Sequence, residues 1–235
     1  MNYKTILLLN LAALAEALIL KVLLDHGLVT CNMAGLNRLY DVVALVAVKN
    51  MLVLAGYQMY FWPQNNHNPK KRIYLKITAL DRWIPAIPAA FWIYSPLYYV
   101  FFSLAILCLK DYNITTLNAW LMLMHASFWF VNFPTRMNKE FREQIKKVPT
   151  DRVTKFIIDL VHSQDTEDNA CPSMHCAFAV FLAFITYPFY PTLSIIFPPL
   201  VALSCLFSKQ HIIVDIIPGL ALGGLHGWLN LIMHG

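Results

Sequence analysis

The sequence predicts an all-α protein, a polytopic bundle of transmembrane helices, and three observations lead to this fold class. Of the 235 residues, 58% are hydrophobic and only 13% are charged, whereas about 25% are charged in an average soluble domain. The mean hydropathy of the chain is +0.54. Seven apolar segments are long enough, or nearly so, to cross a hydrocarbon core of about 30 Å. Together these observations indicate an integral membrane protein.

The seven predicted helices follow one another along the chain. The first two are interrupted by charged residues, chiefly Glu16 and Lys49. We expect these charges to face the interior of the bundle, because charge that faces lipid is costly. The predicted helices occupy residues 5–24, 39–62, 86–109, 114–133, 174–190, 192–208 and 211–232.

Two connections carry most of the remaining charge. Residues 63–85 form a basic loop, which favours an interfacial anchor on an anionic lipid surface. The longest polar stretch, 137–170, has apolar residues at an amphipathic spacing in Phe141, Ile145 and Val148. This spacing predicts a helix that lies on the membrane surface.

The first chemical motif is the stretch from Cys171 to Cys176, where a polar, acidic segment ends and an apolar run begins. Pro172 fits at or just before the first turn of a helix, where its missing N–H costs nothing. Ser173 and His175 then lie at a helix N-terminus, which favours an anion such as a phosphate. The motif by itself is equally compatible with a helix cap that has an incidental histidine.

A second motif, at His211 and Asp215, favours the anion site over the incidental histidine. His211 and Asp215 are four residues apart, so on a helix they share a face. A carboxylate beside an imidazole fixes its tautomer and stabilises its charged form. Asp215 also lies in an otherwise apolar run, where a carboxylate is costly and usually has a functional partner. Two such motifs, each at the start of an apolar helix, are much less expected by chance than either motif alone.

These residues resemble a known family. Pro172-Ser173-Met174-His175 and His211-Ile-Ile-Val-Asp215 are similar to the second and third signature motifs of the type 2 phosphatidic acid phosphatase superfamily. The form Lys-Gln-His that ends at His211, together with the stretch from Asp81 to Pro85, most resembles its inositolphosphotransferase-like branch. That branch includes inositol phosphorylceramide synthases and is related to sphingomyelin synthases. The resemblance covers roughly residues 80–225.

The resemblance implies a domain organisation and a mechanism. Because the superfamily core has six helices, residues 39–235 are expected to form the membrane-embedded catalytic core, and 1–38 an extra N-terminal helix with its connection. His211 would be the nucleophile that forms a phosphohistidine, and Asp215 would orient it. His175 would act as general acid and then as general base. Neither a metal ion nor a cofactor is expected.

The groups that hold the phosphate are less sharply defined by the sequence. Ser173 and the backbone N–H groups of its helix start are candidates. The first family motif is a basic Lys…Arg-Pro signature, for which Arg136 is the best positional match, with Arg142 and Lys139 as alternatives. The commoner third motif has an arginine before its histidine that is absent here, and Lys209 is expected to supply that charge.

Three functions remain open. A lipid phosphatase is slightly favoured over a phosphotransferase that moves a phospho-head group between lipids, and the acceptor, water or a hydroxyl, decides between them. A transporter would explain the buried charges but gives no reason for two paired histidine motifs. In each case the expected partners are lipids, with a phospholipid or another lipid phosphate as the substrate of the enzyme, and not nucleic acid.

The side of the membrane that the site faces is predicted differently by two arguments. Residues 63–85, 134–172 and 209–211 are expected on one face, and they carry nearly all loop lysines and arginines. The positive-inside rule would place that face in the cytoplasm. The resemblance implies a periplasmic or lumenal site, and a phosphate site attracts basic residues for its own reasons. We therefore expect a periplasmic or lumenal site.

Overall fold

The computed structural model describes residues 3–29, 38–66, 71–109 and 111–234, and in these residues the protein is a helical bundle with one small sheet. The predicted all-α fold class is confirmed. Strands β1 (Ile73–Tyr74) and β2 (Thr135–Arg136) are parallel neighbours. The α-helices are α1 (Tyr3–Asp25), α2 (Leu39–Asn66), α3 (Ala79–Trp83), α4 (Tyr98–Leu107), α5 (Tyr112–Asn132), α6 (Lys139–Arg142), α7 (Arg152–Gln164), α8 (Met174–Thr186), α9 (Pro191–Phe207) and α10 (Ile213–His234).

Each of the seven predicted apolar helices is present, with changed ends. The segment predicted at 86–109 begins as a 3-10 turn (Pro88–Ala90) and a π-helical turn (Ile93–Leu97) before α4, because Pro88 and Pro96 interrupt regular α-helical hydrogen bonding. Among the described residues, four helices are long and apolar enough to cross a bilayer: Leu39–Gln64, Pro88–Leu107, Tyr112–Asn132 and Ile213–His234. Helices α8 and α9 are apolar but shorter, with 13 and 17 residues.

The outer faces of the helices carry large apolar side chains that the described residues of the chain leave exposed. More than half of the surface of these side chains is exposed, for example in Ile19, Met51, Phe128, Ile195 and Trp228. A soluble protein rarely exposes apolar surface on this scale, whereas a bilayer provides an apolar environment for it. The lengths and surfaces of these helices indicate an integral membrane protein.

Two charges of the first two helices, Glu16 and Lys49, face inward, as expected. Lys49 of α2 is only 3% exposed and forms an ion pair with Glu16 of α1. Its ammonium also donates to the Ser103 hydroxyl of α4 at 2.7 Å, and Ser103 in turn donates to Glu16. This three-residue cluster joins α1 and α2 to α4.

Helices α8 and α10 pack in contact with each other's backbone, and glycines make this possible. A Cβ atom at Gly223 would lie 2.1 Å from the carbonyl oxygen of Ala177, and one at Gly219 would lie 2.4 Å from that of Ser173. Glycines spaced four apart on one face permit such close helix packing in membranes. The result is that the helices that carry the two motifs lie side by side.

The polar segments meet on one face of the bundle. In the small sheet Ile73 pairs with Thr135 and Tyr74 with Arg136. Gln64 Nε2 donates to Asp165 Oδ1 at 3.2 Å. These contacts bring residues 63–66 and 71–85 together with 134–172 on a single face of the bundle.

The helix in the polar stretch does not begin where the spacing predicts. Phe141 and Ile145 are buried in the short α6 and the 3-10 turn that follows it (Glu143–Lys147). The amphipathic helix is α7, farther along the chain. Ile157 and Ile158 of α7 pack into the core, while Val153 and Phe156 are more than half exposed. The expectation of an amphipathic helix in this stretch is met, but by other residues.

Candidate active site

The centre of the site is the loop between α9 and α10, which presents His211. Its Nδ1 lies 3.1 Å from Asp215 Oδ2, and Asp215 is completely buried. The other carboxylate oxygen of Asp215 accepts a hydrogen bond from the backbone N–H of Ile212 at 2.9 Å. Because the carboxylate accepts, Nδ1 carries the proton, which leaves Nε2 of His211 with its lone pair.

The two motifs are directly linked. The backbone N–H of Ser173, the N-cap residue of α8, donates to the backbone carbonyl of Asp215 at 2.9 Å. Ser173 is fully buried, and its Oγ has no oxygen or nitrogen partner within hydrogen-bonding distance in the part of the chain that the structure describes. The first turn of α8, where N–H groups lack intrahelical acceptors, therefore begins beside the His211–Asp215 pair.

His175 lies in this first turn, and two tyrosines hold its ring. The ring of Tyr94 stacks on it with centroids 4.0 Å apart, and that of Tyr98 lies 5.0 Å away. The centroids of His175 and His211 are 6.2 Å apart. The two imidazoles therefore lie close together at the site.

A small cavity of about 10 Å³ borders His211, and Arg142 is the cation in its wall. Arg142 is 4% exposed. Its Nε donates to Gln210 Oε1 at 2.8 Å, and its Nη1 donates to the carbonyl oxygens of Asp165 and Thr166 at 3.0 and 2.7 Å. The remaining N–H groups belong to Nη2, which lies 3.3 Å from Asp165 Oδ2.

Arg136 and Lys139 lie elsewhere. Both line a larger, more open basin of about 470 Å³ together with Arg72 and Tyr74. Arg136 pairs with Glu167 at 2.7 Å and with the carboxylate of Asp168 at 3.5 Å. The structure therefore brings Arg142 into the wall of the His211 cavity, and it places Arg136 and Lys139 in the neighbouring basin.

Lys209 is turned toward the backbone of the stretch around α3. It is 1% exposed, and its ammonium donates to the carbonyl oxygens of Asp81 and Ile84 and lies 4.6 Å from the ring centre of Phe141. Its backbone has a left-handed φ of +60°, which is uncommon for a residue other than glycine. The carboxylate of Asp81 accepts from the backbone N–H of Ile213 at 3.0 Å. Asp81 and Lys209 thus fix the loop that carries His211.

The electrostatics of His211 are set by two opposing effects. Burial disfavours the charged imidazolium, but the negative charge of Asp215 and its hydrogen bond outweigh burial and raise the pKa of His211 above its ordinary value. Asp215 therefore favours the charged form of the His211 imidazole.

The C-terminal half of the chain, which contains both histidine motifs, matches a known family. A family model described as the PAP2 superfamily matches residues 116–235, which is 120 of the 235 residues and thus just over half of the chain. The chain belongs to the PAP2 superfamily. No curated protein and no solved structure matches the chain.

The PAP2 match spans the polar loops of the site, both histidine motifs and helices α8 to α10. Helices α1, α2 and α4 precede it, as does the loop with Asp81. Membership of the PAP2 superfamily suggests phosphatase or phosphotransferase activity on phosphate esters.

Several residues near the candidate site are not singled out by the sequence. Tyr94 and Tyr98 lie within a predicted apolar span, where only their spacing of four residues indicates that they share a face. Gln210 stands out in the sequence only as part of the Lys-Gln-His form. His162 had no recognisable partner pattern in the sequence, because its partner Gln210 is 48 residues away.

Proposed function

We propose that this protein is an integral-membrane lipid phosphatase that hydrolyses the phosphate ester of a lipid through a phosphohistidine intermediate on His211. The observation that carries the proposal is the pairing of His211 with buried Asp215 at a cavity walled by Arg142, with His175 6.2 Å away. A nucleophile, an orienting carboxylate, a second imidazole and a cation are the groups that such a reaction uses.

In the first step, Nε2 of His211 attacks the phosphorus of the substrate and forms the N–P bond. The bond from phosphorus to the lipid oxygen breaks, and His175 gives that oxygen the proton that it acquires when the anionic phosphate ester binds beside it, so the lipid leaves as an alcohol. The Nδ1 proton of His211 stays on the ring, where the adjacent Asp215 charge stabilises the positive phosphohistidine.

In the second step, a water molecule attacks the phosphorus. The now neutral His175 takes a proton from this water, the N–P bond breaks, and inorganic phosphate leaves. Both histidines return to their starting protonation states. Because imidazoles supply the nucleophile and the acid, no step calls for a metal ion.

Arg142 and Ser173, with the N–H groups of the first turn of α8, are the groups that we propose hold the phosphoryl oxygens. Arg142 becomes the first choice because it borders the same cavity as His211, whereas the predicted Arg136 borders the basin. Lys209 fits a positioning role better than its predicted phosphate-binding role, since backbone carbonyls accept from its ammonium. The cavity has room for about one water molecule, so the proposal requires the wall at residues 165–170 to move when substrate binds.

A phosphotransferase is the second candidate, and one observation favours it. The polar basin lined by Arg72, Tyr74 and Lys139 shares Met137 with the catalytic cavity. A head group with hydroxyl groups bound there would replace water as the acceptor. The resemblance of the motifs to the inositolphosphotransferase-like branch points in the same direction.

One assay separates these candidates. Purified protein is incubated with phospholipids, polyprenyl phosphates and lipid A phosphates, and the products are scored for free phosphate and for transferred head group. We expect free phosphate, inhibition by orthovanadate and no effect of EDTA, and we expect His211→Ala and His175→Ala to be folded but inactive. Head-group transfer would favour the second candidate. Normal turnover by either variant, or a loss in EDTA that a divalent ion restores, would contradict the mechanism.

A further inference from the structure

A chain of hydrogen bonds runs from the catalytic cavity into α7. Arg142 Nε donates to Gln210 Oε1 at 2.8 Å. An arginine only donates, so the atom of Gln210 that faces it is the oxygen. The amide nitrogen of Gln210 therefore faces the other way, 2.8 Å from His162 Nε2 and 3.3 Å from the carbonyl oxygen of Ser208.

This orientation defines the state of His162. Because the Gln210 nitrogen donates, His162 Nε2 must accept, and the ring proton lies on Nδ1, which is 3.6 Å from Glu143 Oε1. Burial, followed by the charges of Arg142 and Lys146, lowers the pKa of His162 to about 4. The ring is therefore neutral near pH 7.

The position of His162 is itself fixed. Its side chain is 6% exposed, and its ring centroid lies 6.0 Å from that of Phe91. The start of α7 is held by Trp92, whose indole N–H donates to Thr154 Oγ1 at 3.0 Å. Helix α7, which Trp92 of the segment Pro88–Leu107 holds in place, thus positions the acceptor atom His162 Nε2 beside the Gln210 amide.

We propose that His162 is a positioning residue that acts through Gln210 on Arg142 and on the adjacent His211. A flipped amide would point its N–H groups at the N–H of Arg142, and the two donors would repel each other. With His162 as an acceptor on one side and Arg142 as a donor on the other, only one amide orientation satisfies both. The inference rests on the proposed function, in which Arg142 binds the phosphoryl group.

Loss of the acceptor should loosen Arg142 without removing any group that touches the substrate. A buried donor left unpaired costs enough to shift an orientation equilibrium, so the amide of Gln210 would turn or draw in water. For the loss of this one hydrogen bond, we expect the affinity for inorganic phosphate and orthovanadate to fall about tenfold, and kcat/KM to fall by a similar factor.

The experiment compares three substitutions of His162. In His162→Gln the side-chain oxygen reaches about as far as Nε2 of the imidazole and is able to accept from Gln210. In His162→Asn the oxygen is too close to the backbone to reach, and His162→Leu has no acceptor. We expect His162→Gln to bind orthovanadate nearly as the unchanged protein does, and the other two to bind it about tenfold more weakly.

A double-mutant cycle tests the route through Gln210. If His162 acts through this amide, then His162→Leu should have little further effect on orthovanadate affinity in a Gln210→Ala background. Thermal unfolding in detergent is measured for every variant. Should His162→Leu fail to fold, the comparison of His162→Gln with His162→Asn still decides the question.

Three results would overturn the inference about His162. Unchanged affinity in His162→Asn and His162→Leu overturns the inference, and so does a loss in His162→Gln as large as that in His162→Leu, which would mean that the ring matters only for packing. An additive loss in the double mutant would also overturn it. These results leave the proposed function intact as long as the unchanged protein releases phosphate, whereas absence of that activity in the assay above counts against the proposed function itself.

Discussion

Asp215 does three things with three oxygen atoms. One carboxylate oxygen accepts from His211, the other from the N–H of Ile212, and its backbone carbonyl accepts from the N–H of Ser173. A single residue thus sets the tautomer of the proposed nucleophile, caps the start of α10 and joins the two motifs.

The first prediction concerns the charge of Asp215. The nucleophile must be neutral, so the rate should rise with pH as His211 loses its proton, and the raised pKa of His211 places this rise above its ordinary value. Asp215→Asn removes the charge that raises the pKa and leaves the burial that lowers it. We expect the acidic limb of the kcat/KM profile to move to lower pH, while the maximal rate falls by roughly 10²- to 10⁴-fold.

The measurement is a pH–rate profile of both proteins with a soluble phosphate ester in detergent. The unchanged position of the limb in Asp215→Asn would mean that His211 is not the group that titrates. A variant with full maximal rate would remove Asp215 from the mechanism.

At the scale of single residues, the sequence predicts those parts of the candidate site whose residues are close together in the chain. His211 and Asp215 are one helical turn apart, and Ser173 and His175 follow a proline at a helix start, so each pair was predictable from the chain alone. Arg142 could only be an alternative to Arg136. The choice between them depends on contacts with Asp165 and Gln210, which lie 23 and 68 residues away and which no local pattern contains.

At the scale of helices, the second prediction concerns the contact between α8 and α10. In Gly223→Ala the added Cβ would lie 2.1 Å from a backbone oxygen of Ala177, so the helices must separate. We expect a loss of about 1–3 kcal/mol in stability. We also expect a large loss of activity, since misplacement by about 1 Å costs on the order of 10²-fold.

The neighbouring glycine supplies the matched control. A Cβ at Gly224 meets nothing within 4 Å, so Gly224→Ala should keep its activity and be at least as stable, because alanine favours a helix more than glycine does. Thermal unfolding and turnover in detergent compare the two variants. Equal behaviour of both would show that the glycine contact does not hold α8 and α10 together.

The helices also show where periodicity misleads. The spacing of Phe141, Ile145 and Val148 predicted one surface helix, yet these residues lie in α6, a 3-10 turn and its end. Two capping residues explain the division. Asn138 accepts from the N–H of Phe141 at 2.9 Å, and Asp151 accepts from the N–H groups at the start of α7. Each cap starts a new helix and so overrides the apolar spacing.

At the scale of the whole molecule, the third prediction concerns sidedness. We expect the face with the site to lie in the periplasm or lumen, against the positive-inside rule. In a cysteine-free background, Asn66→Cys and Ser163→Cys report on the site face, and Asn113→Cys, at the start of α5, reports on the opposite one. An impermeant maleimide should label the first two, and the third only after permeabilisation, on sealed vesicles whose periplasmic or lumenal side faces outward, or on intact cells if the protein lies in the cell-surface membrane. The reverse pattern would mean that the charge rule is right.

The order of the helices was predictable from composition, because seven apolar runs are separated by clear polar breaks. The convergence of the polar segments was expected only from the antiparallel order of neighbouring helices. The small sheet between β1 and β2 was not predicted, since two residues per strand leave no pattern that a sequence reveals. The domain boundary at residue 39 stays a prediction.

The brevity of α8 and α9 has a consequence for the surrounding lipid. At about 1.5 Å per residue, their 13 and 17 residues correspond to roughly 20 and 26 Å, less than the 30 Å or so of an average hydrocarbon core. Gly227 of α10 lies against Phe184, which is near the end of α8. Helix α10 continues for seven more residues, to His234, and so extends deeper into the membrane than α8 does. The turn between α8 and α9 would therefore end inside the far leaflet.

Several polar groups of that turn have partners within the protein. The N–H groups of Phe189 and Tyr190 donate to the carbonyl oxygen of Thr186, whose hydroxyl lies 2.6 Å from that of Ser194. Because α8 and α9 are shorter than the hydrocarbon core, the leaflet opposite the site should become thinner around the turn that joins them, which is a case of hydrophobic mismatch. Reconstituted protein should be most active in bilayers of shorter acyl chains and should lose activity as the bilayer thickens, and a flat response to chain length would contradict this. Membrane thickness would then help to decide in which cellular membrane the protein works.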